Sequence, residues 1–96
     1  MRRTLAVAIG LVSIATALTA AAEPPVGAAA CSGCHPSSSR VTSPVPRLAG
    51  RDRAEIVKAM QEFRAGTRTG TVMDRIAKGF SDAEIQAIAA WYSEQR

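Results

Sequence analysis

The residues best suited to chemistry are two cysteines and a histidine in one short motif, Cys31-Ser32-Gly33-Cys34-His35. On a helical turn Cys31 and Cys34 lie three apart on one face, so both thiols can reach the two vinyl groups of one haem. His35 follows where its imidazole can approach the iron from the same side. The spacing therefore predicts covalent attachment of one haem c through Cys31 and Cys34, with His35 as an axial ligand of the iron.

Three other uses of the same side chains stay open on the sequence. A redox or structural disulfide between Cys31 and Cys34 suits an exported protein. A zinc site is a weaker alternative, because two cysteines and one histidine fall short of the four ligands of a structural site. A thioredoxin-like pair would need a βαβ context, which the sequence does not indicate. Haem attachment is therefore the favoured interpretation.

The second axial position of a haem iron needs a soft or nitrogenous ligand, and His35 is the only histidine in the sequence. Met60 lies at helical spacing from Ile56 and Phe63, which is typical of a core side chain. Met73 stands at the end of a Gly/Thr-rich loop, where a thioether can point at a cofactor. We therefore expect Met73 to be the second ligand. With both axial positions filled, the chain alone should carry electrons and catalyse nothing.

The segment Pro46-Arg47-Leu48-Ala49-Gly50 lies between the two expected ligands in the sequence. A proline carbonyl can accept a hydrogen bond from Nδ1 of His35 and so fix the orientation of the imidazole. An ordinary loop proline is the alternative. We expect Pro46 and Leu48 to belong to the haem pocket. The other apolar residues expected in the pocket or core are Ile56, Met60, Phe63, Ile76, Phe80, Ile85, Ile88 and Trp91.

The chain begins with the pattern of a secretory signal peptide. Basic Arg2-Arg3 precede the uncharged run Leu5–Ala22, which ends with small residues at Ala20 and Ala22. We predict cleavage after Ala22, which leaves residues 23–96 as a periplasmic domain. An uncleaved membrane anchor is the alternative, but the second half of the run is only weakly hydrophobic. No stable membrane insertion is therefore expected after cleavage.

Charge and size narrow the function further. The chain has 96 residues with 12 Lys+Arg and 8 Asp+Glu, and removal of Arg2 and Arg3 with the leader lowers its formal charge from +4 to +2. The remaining basic residues are scattered among acids, which argues against nucleic-acid binding. A domain this short, with four aromatic residues, buries little core, so a large apolar cofactor should help to stabilise it.

The fold class expected from the sequence is all-α, because no run alternates apolar and polar residues convincingly. A short turn at Asp74–Lys78 should end at Gly79 in a left-handed conformation. Gly66 is expected as a C-cap, and Ser81 with Glu84 forms a capping box. Three main helices should surround the haem: Val26–Cys34, Asp52–Ala65 and a last helix after Ser81 with Ile85, Ile88, Ala89 and Tyr92 on its apolar face.

Taken together, these motifs resemble the class I cytochromes c over nearly the whole mature chain. The block around Met73 is similar to that of the cytochrome subunit of flavocytochrome c, the sulfide dehydrogenase. That subunit accepts electrons from a flavoprotein that oxidises sulfide in the periplasm. The resemblance implies that Cys31 and Cys34 bind haem and that His35 and Met73 ligate its iron. The matching blocks are Cys31–His35, Val45–Gly50, Phe63–Gly66 and Thr71–Ile85.

Two roles stay open for such an electron carrier. The first is a haem subunit that docks on an FAD-containing flavoprotein, as a heterodimer, and passes single electrons to a downstream acceptor. The second is a free, diffusible cytochrome c that shuttles electrons to a terminal oxidase or reductase. A free shuttle often has a charged ring around its haem edge, whereas a permanent subunit has an apolar patch. The candidates for a ring are Arg47, Arg51, Arg53, Arg68 and Arg75.

Overall fold

The structure is a computed structural model that describes residues 12–17 and 22–96. Apart from residues 12–17 and Ala22, which have no regular secondary structure, the predicted leader lies outside the described residues. None of the helices described has both the length and the apolar character that a membrane crossing requires. The elements follow in the order α1 (Ala28–Cys31), α2 (Arg53–Ala65), α3 (Met73–Ile76), a 3₁₀ turn (Ala77–Gly79) and α4 (Asp82–Glu94). The described secondary structure is helical throughout, which confirms the all-α prediction.

Helix α2 is fixed at both ends by local hydrogen bonds, of which the C-cap at Gly66 was predicted and the N-cap at Asp52 was not. The Asp52 side chain accepts a bond from the amide of Glu55, at 3.1 Å, and so caps the first turn. Gly66 follows the last turn with a φ of 80°, in the left-handed region that favours glycine. Its N–H donates to the carbonyls of Glu62 and Phe63, which would otherwise lack partners. The helix therefore ends at Ala65 as predicted and begins at Arg53, one residue after the predicted start at Asp52.

Helix α4 begins with the predicted capping box. The hydroxyl of Ser81 accepts from the amide of Glu84 at 3.2 Å, and the Glu84 carboxylate accepts from the amide of Ser81 at 3.1 Å. These reciprocal bonds satisfy two amides that the helix itself leaves without partners. The predicted apolar face is confirmed as well, because all four of its residues are buried: Ile85, Ile88, Ala89 and Tyr92.

Helix α1 is shorter than predicted at both ends, because it begins only after Gly27 and ends at Cys31, after which residues 32–34 form a turn. Gly27 has a φ of 87°, which an α-helix cannot include, and it approaches the ring of Phe80 closely. A Cβ atom at this position would lie 2.6 Å from Cε1 of Phe80. Glycine is therefore required here by both its backbone angle and its neighbour. The close packing against Phe80 sets the point where the helix can start.

The prediction for Gly79 is wrong. Among the described residues, the glycines with positive φ are Gly27, Gly50 and Gly66, and Gly79 takes an ordinary conformation at the end of the 3₁₀ turn. The chain leaves that turn through Phe80, whose φ of −117° and ψ of 138° are extended. The extended residue, and not a left-handed glycine, therefore separates the turn from α4.

The helices pack around a small core. Helix α4 packs against both α1 and α2, while α3 and the 3₁₀ turn pack against α2. Ile85 is the largest side chain that is fully buried, so the amount of apolar burial is modest, as the composition predicted. The buried residues are Ala28, Ile56, Ala77, Ile85, Ile88, Ala89 and Tyr92.

Candidate haem site

The two cysteines and the histidine of the motif are held on one helical turn. The amides of Cys34 and His35 both donate to the carbonyl of Cys31, at 3.2 and 2.9 Å. Cys31 is half-buried at the end of α1, whereas Cys34 is exposed, and both are free thiols. The local spacing that the sequence predicted is therefore present, with both sulfurs available for thioether bonds.

The Cys31 thiol lies in a partly buried position at the end of α1. Burial raises its pKa above the ordinary value, and its Sγ donates to the carbonyl of Gly27 at 3.6 Å. Thioredoxin-type cysteines have the opposite property, since their pKa is lowered to make a reactive thiolate. The described residues also contain no cluster of three or more His, Cys, Asp or Glu side chains arranged to hold a metal ion. The raised pKa therefore differs from that of a thioredoxin-type cysteine, while a structural disulfide between Cys31 and Cys34 stays open as an alternative.

The imidazole of His35 is oriented by the backbone of Pro46. Nδ1 of His35 lies 2.5 Å from the carbonyl oxygen of Pro46. A carbonyl can only accept, so Nδ1 carries the proton in this pair and the bond fixes the tautomer. Nε2 is then the basic nitrogen, and it has no hydrogen-bond partner among the described residues. This is the arrangement predicted for a metal-ligating histidine whose ring is held by a carbonyl.

A second bond closes the same loop beside His35. Nε of Arg47 donates to the carbonyl of Ser37 at 2.8 Å, next to the bond between His35 and Pro46. The segment that follows His35 is therefore tied at two neighbouring points to the segment of Pro46. Leu48 comes next, packs against the core, and lines a cavity of about 350 Å³ together with His35. The structure thus places His35 beside both Pro46 and Leu48, whereas Cys31, Cys34, Pro46 and Met73 do not line this cavity.

The sequence did not predict the role of the Tyr92 hydroxyl. This group donates to the carbonyl of Ala28 at 2.5 Å and lies 2.9 Å from the hydroxyl of Ser32, inside the motif. The carbonyl of Tyr92 also accepts from the amide of Gly50, at 2.9 Å. Tyr92 therefore joins α4 to both the motif and the loop that holds His35. The sequence offers one indication of this role: Tyr92 lies on the apolar face of an amphipathic helix, where a buried hydroxyl needs a hydrogen-bond partner.

Met73 lies on a different part of the fold from the motif. It begins α3, which packs against α2 and makes no contact with α1. Gly70 allows the backbone to approach Phe63, since a Cβ at Gly70 would lie 2.8 Å from the Phe63 ring and 3.4 Å from Cβ of Met73. Val72 and Ile76, on either side of Met73 in the sequence, are 50% and 44% exposed, so Ile76, which was expected in the pocket or the core, does not belong to the buried core.

The residues present fit a covalently attached haem. The donor set contains two thiols on one turn, an imidazole with its Nδ1 already bonded, and a thioether on a separate element. Two exposed apolar side chains, those of Val72 and Ile76, lie near Met73 in the sequence and suit contact with an apolar macrocycle.

Comparisons with known proteins establish the family. No protein-family profile matches the chain. The chain is 34% identical over 80 residues to cytochrome c-554(548) of Halomonas halodenitrificans, an alignment that covers 79% of this chain and 94% of that protein. This chain belongs to the class I cytochromes c, which bind haem c and transfer electrons.

The names of two further relatives refer to the oxidation of sulfur compounds. The chain is 39% identical over 62 residues to the cytochrome subunit of sulfide dehydrogenase of Chlorobaculum tepidum, covering 65% of this chain and 56% of the relative. It is 37% identical over 97 residues to the thiosulfate dehydrogenase electron acceptor of Thiomonas intermedia, covering 98% of this chain and 44% of the relative. The chain therefore spans about half the length of these two proteins. The resemblance drawn from the sequence is confirmed.

Proposed function

We propose that residues 23–96 form a periplasmic monohaem cytochrome c, exported by the leader 1–22, that carries single electrons. The observation that carries the proposal is the bond between Nδ1 of His35 and the Pro46 carbonyl, directly after the two thiols of the motif. This bond makes Nε2 of His35 a basic nitrogen of fixed direction, as an axial ligand requires.

Each residue of the site has a role in this proposal. Cys31 and Cys34 would hold the haem through thioether bonds, and His35 and Met73 would ligate its iron. The bound haem supplies an iron that gains and loses one electron reversibly. Pro46 keeps the proton on Nδ1 of His35, and Leu48 contributes apolar surface that keeps water away from the ring. With two protein ligands, the chain alone transfers electrons and performs no substrate chemistry.

The proposed electron donor is an FAD-containing flavoprotein that oxidises sulfide, with this chain as its haem subunit in a heterodimer. The similarity to the cytochrome subunit of sulfide dehydrogenase supports this choice. A downstream carrier then takes the electron from this chain.

The experiment is an absorption spectrum of the protein isolated under native conditions from its own host, before and after sulfide is added. If flavin bands accompany the c-type haem bands, and sulfide bleaches the flavin while it reduces the haem, the subunit proposal stands. A haem spectrum without flavin that does not respond to sulfide contradicts it.

The second candidate is a free, diffusible cytochrome c that serves a terminal oxidase or reductase. The alignment with cytochrome c-554(548) favours it, because it covers 94% of that protein and so shows that a chain of this size occurs as a cytochrome. The same spectrum separates the two candidates, since haem bands alone without a sulfide response support the free carrier.

Mass spectrometry of the same sample tests the cofactor and the leader. One haem added to a chain that begins at Glu23 is the expected mass. A chain that has lost two hydrogens and carries no haem would show a disulfide between Cys31 and Cys34. A mass that retains residues 1–22 would show that the leader stays attached as an anchor.

A further inference from the structure

Met73 lies in a segment that has little structure of its own. Residues 67–80, the Met73 segment, lie between α2 and α4 and contain α3 and the 3₁₀ turn, which have four and three residues. Helical pieces this short are not stable alone. Ala77 is the one buried residue of the segment. The position of Met73 is therefore set by contacts that the segment makes with the rest of the fold.

The start of the Met73 segment is fixed to the last turns of α2. The amides of Thr67 and Arg68 donate to the carbonyl of Glu62, at 3.0 and 3.3 Å, and the Thr67 hydroxyl donates to the same carbonyl at 3.3 Å. The guanidinium of Arg68 pairs with the Glu62 carboxylate at 2.7 Å and lies over the ring of Phe63, 5.5 Å from its centroid. Glu62 also faces Lys58, at 3.8 Å. Arg68, a candidate for a charged ring, is therefore paired in the fold.

The end of the Met73 segment is fixed by one side chain, that of Arg64. Its Nη1 donates to the carbonyl of Phe80 at 3.0 Å, and its Nη2 pairs with the carboxylate of Asp82. Phe80 is the last residue of the segment and Asp82 is the first residue of α4, so Arg64 joins α2 to both. The Arg64 side chain is 31% exposed and that of Asp82 is 69% exposed. The bond to the Phe80 carbonyl is therefore the better shielded of the two.

The middle of the Met73 segment has no comparable attachment through charge. Its charged side chains make no ion pair among the residues that the structure describes. These residues are Asp74, Arg75 and Lys78. Ion pairs therefore fix the segment at its ends, through Arg68 at the start and Arg64 at the finish.

The two attachments differ in what they join. Glu62 and Arg64 lie two residues apart on α2, so both ends of the Met73 segment return to the same part of that helix. Arg64 also reaches α4, and α4 packs against α1, the helix that ends at Cys31. Arg64 therefore links the segment that contains Met73 to the helices that hold the motif. A ligand held in place in advance loses less freedom on binding than a ligand on a free loop.

We propose that Arg64 is a positioning residue for Met73. By holding Phe80 and Asp82, it keeps the Met73 segment closed against α2 and α4, and so keeps the Met73 thioether available to the iron. The proposal rests on the proposed function, in which Met73 is an axial ligand, and adds the residue that keeps this ligand in place. Without Arg64 the segment opens more often, because its attachment at the α4 end is lost.

The first test measures how firmly Met73 is held. The oxidised, haem-loaded mature protein is titrated with imidazole, which competes with a methionine thioether for the ferric iron, and loss of the His/Met spectrum gives an apparent Kd. This Kd falls as the fraction of molecules with a detached methionine rises. Arg64→Gln should therefore lower the apparent Kd for imidazole several-fold. An unchanged Kd would overturn the proposal.

Arg53→Gln is the matched control for Arg64→Gln. It removes the same charge from the same helix and also removes a bond between α2 and α4, because Nη2 of Arg53 donates to Oε1 of Gln86 at 3.2 Å. Arg53 begins α2, at the opposite end from the Met73 segment, so Arg53→Gln should keep the imidazole Kd of the unchanged protein. An equal fall of the Kd in both variants would contradict the proposal.

Asp82→Ala serves where Arg64→Gln does not fold. It removes the ion pair and leaves the bond from Arg64 to the Phe80 carbonyl, so it should lower the imidazole Kd in the same direction but by less. An unchanged Kd in Asp82→Ala, where Arg64→Gln gives no folded protein, would also overturn the proposal.

Amide hydrogen exchange separates positioning from a general loss of stability. The amides of Arg75, Ile76 and Phe80 bond to carbonyls inside the Met73 segment. In the reduced, haem-loaded protein, Arg64→Gln should speed exchange at these amides several-fold and leave amides in the middle of α4 almost unchanged. Equal acceleration in the segment and in α4 would mean that Arg64 acts through the stability of the whole fold, and the positioning role would be wrong.

Met73→Ala distinguishes a failure of this proposal from a failure of the proposed function. If Met73→Ala keeps the His/Met spectrum, Met73 is not the ligand, and the ligand assignment and the role of Arg64 are both wrong. If Met73→Ala loses that spectrum while Arg64→Gln changes neither the imidazole Kd nor the exchange in the segment, the ligand assignment stands and the role of Arg64 alone is wrong.

Discussion

The hydroxyl of Tyr92, in α4, donates a hydrogen bond to the carbonyl oxygen of Ala28, in α1, across 2.5 Å. Ala28 is fully buried, so Tyr92→Phe leaves a buried carbonyl without this donor. We expect the variant to lose about 1–3 kcal/mol of unfolding free energy. The Tm of the haem-loaded protein should fall by roughly 4–8 °C for each kcal/mol in a domain of this size.

Ser32→Ala is the control for this prediction. It removes only the contact between Ser32 and Tyr92, at 2.9 Å, and leaves the bond to Ala28 in place. Because Ser32 is exposed, Ser32→Ala should lower the unfolding free energy by less than Tyr92→Phe does. Equal losses in the two variants would mean that the bond to Ala28 contributes nothing.

Gly27 and Gly79 should respond in opposite ways to alanine. Gly27→Ala places a Cβ 2.6 Å from the Phe80 ring at a φ of 87°, so we expect it to cost more than about 1 kcal/mol. Gly79 has an ordinary φ and no atom within 4 Å of an added Cβ, so Gly79→Ala should stabilise the fold by about 0.4–1 kcal/mol. Urea denaturation midpoints of both variants test the pair, and a destabilised Gly79→Ala variant would contradict the structure at that turn.

The features that the sequence predicted correctly depend on neighbours a few residues apart. The C-cap of α2 at Gly66 and the capping box of α4 at Ser81 are set by bonds within four residues. The spacing of Cys31, Cys34 and His35 is local in the same sense. Short-range chemistry of this kind can be read without knowledge of the fold.

Two of the features that the sequence missed depend on contacts between distant segments, and a third, at Gly79, depends on the next residue. Gly27 starts α1 because Phe80 packs against it, and the Tyr92 hydroxyl finds its partner 64 residues away. Gly79 was expected to be left-handed, but the extended Phe80 already turns the chain toward α4. The bond from His35 to Pro46 could be predicted, since a ligand histidine needs a partner for its second nitrogen.

The capping box of α4 should depend on pH. Its hydrogen bonds with Ser81 lower the pKa of Glu84, so the charged carboxylate is favoured in the folded protein. The charged Glu84 carboxylate therefore stabilises the fold at pH values above the ordinary pKa of a glutamate. This stabilisation is lost as the pH falls through the lowered pKa. Glu84→Gln should therefore destabilise the fold at neutral pH and lose its effect in acid. Denaturation midpoints measured from neutral to acidic pH test this.

Glu94→Gln is the matched control for Glu84→Gln. It removes the same charge at the opposite end of α4, where a carboxylate interacts unfavourably with the helix dipole. It should therefore leave stability unchanged or raise it slightly at neutral pH. If both variants lose stability equally, the capping box is not the cause of the pH dependence.

Met73 and Met60 should differ sharply as ligands. Met60 packs against the core from α2, whereas Met73 begins α3 between the exposed side chains of Val72 and Ile76. Met73→Ala should keep the covalent haem, because its attachment needs only the cysteines, but lose the low-spin His/Met spectrum. Met60→Ala should keep that spectrum and instead lower the unfolding free energy through lost packing against the core. Visible spectra and thermal melts of the two purified variants test the assignment. An unchanged spectrum in Met73→Ala would mean that Met73 is not the ligand. Loss of the His/Met spectrum in Met60→Ala would assign the ligand to Met60.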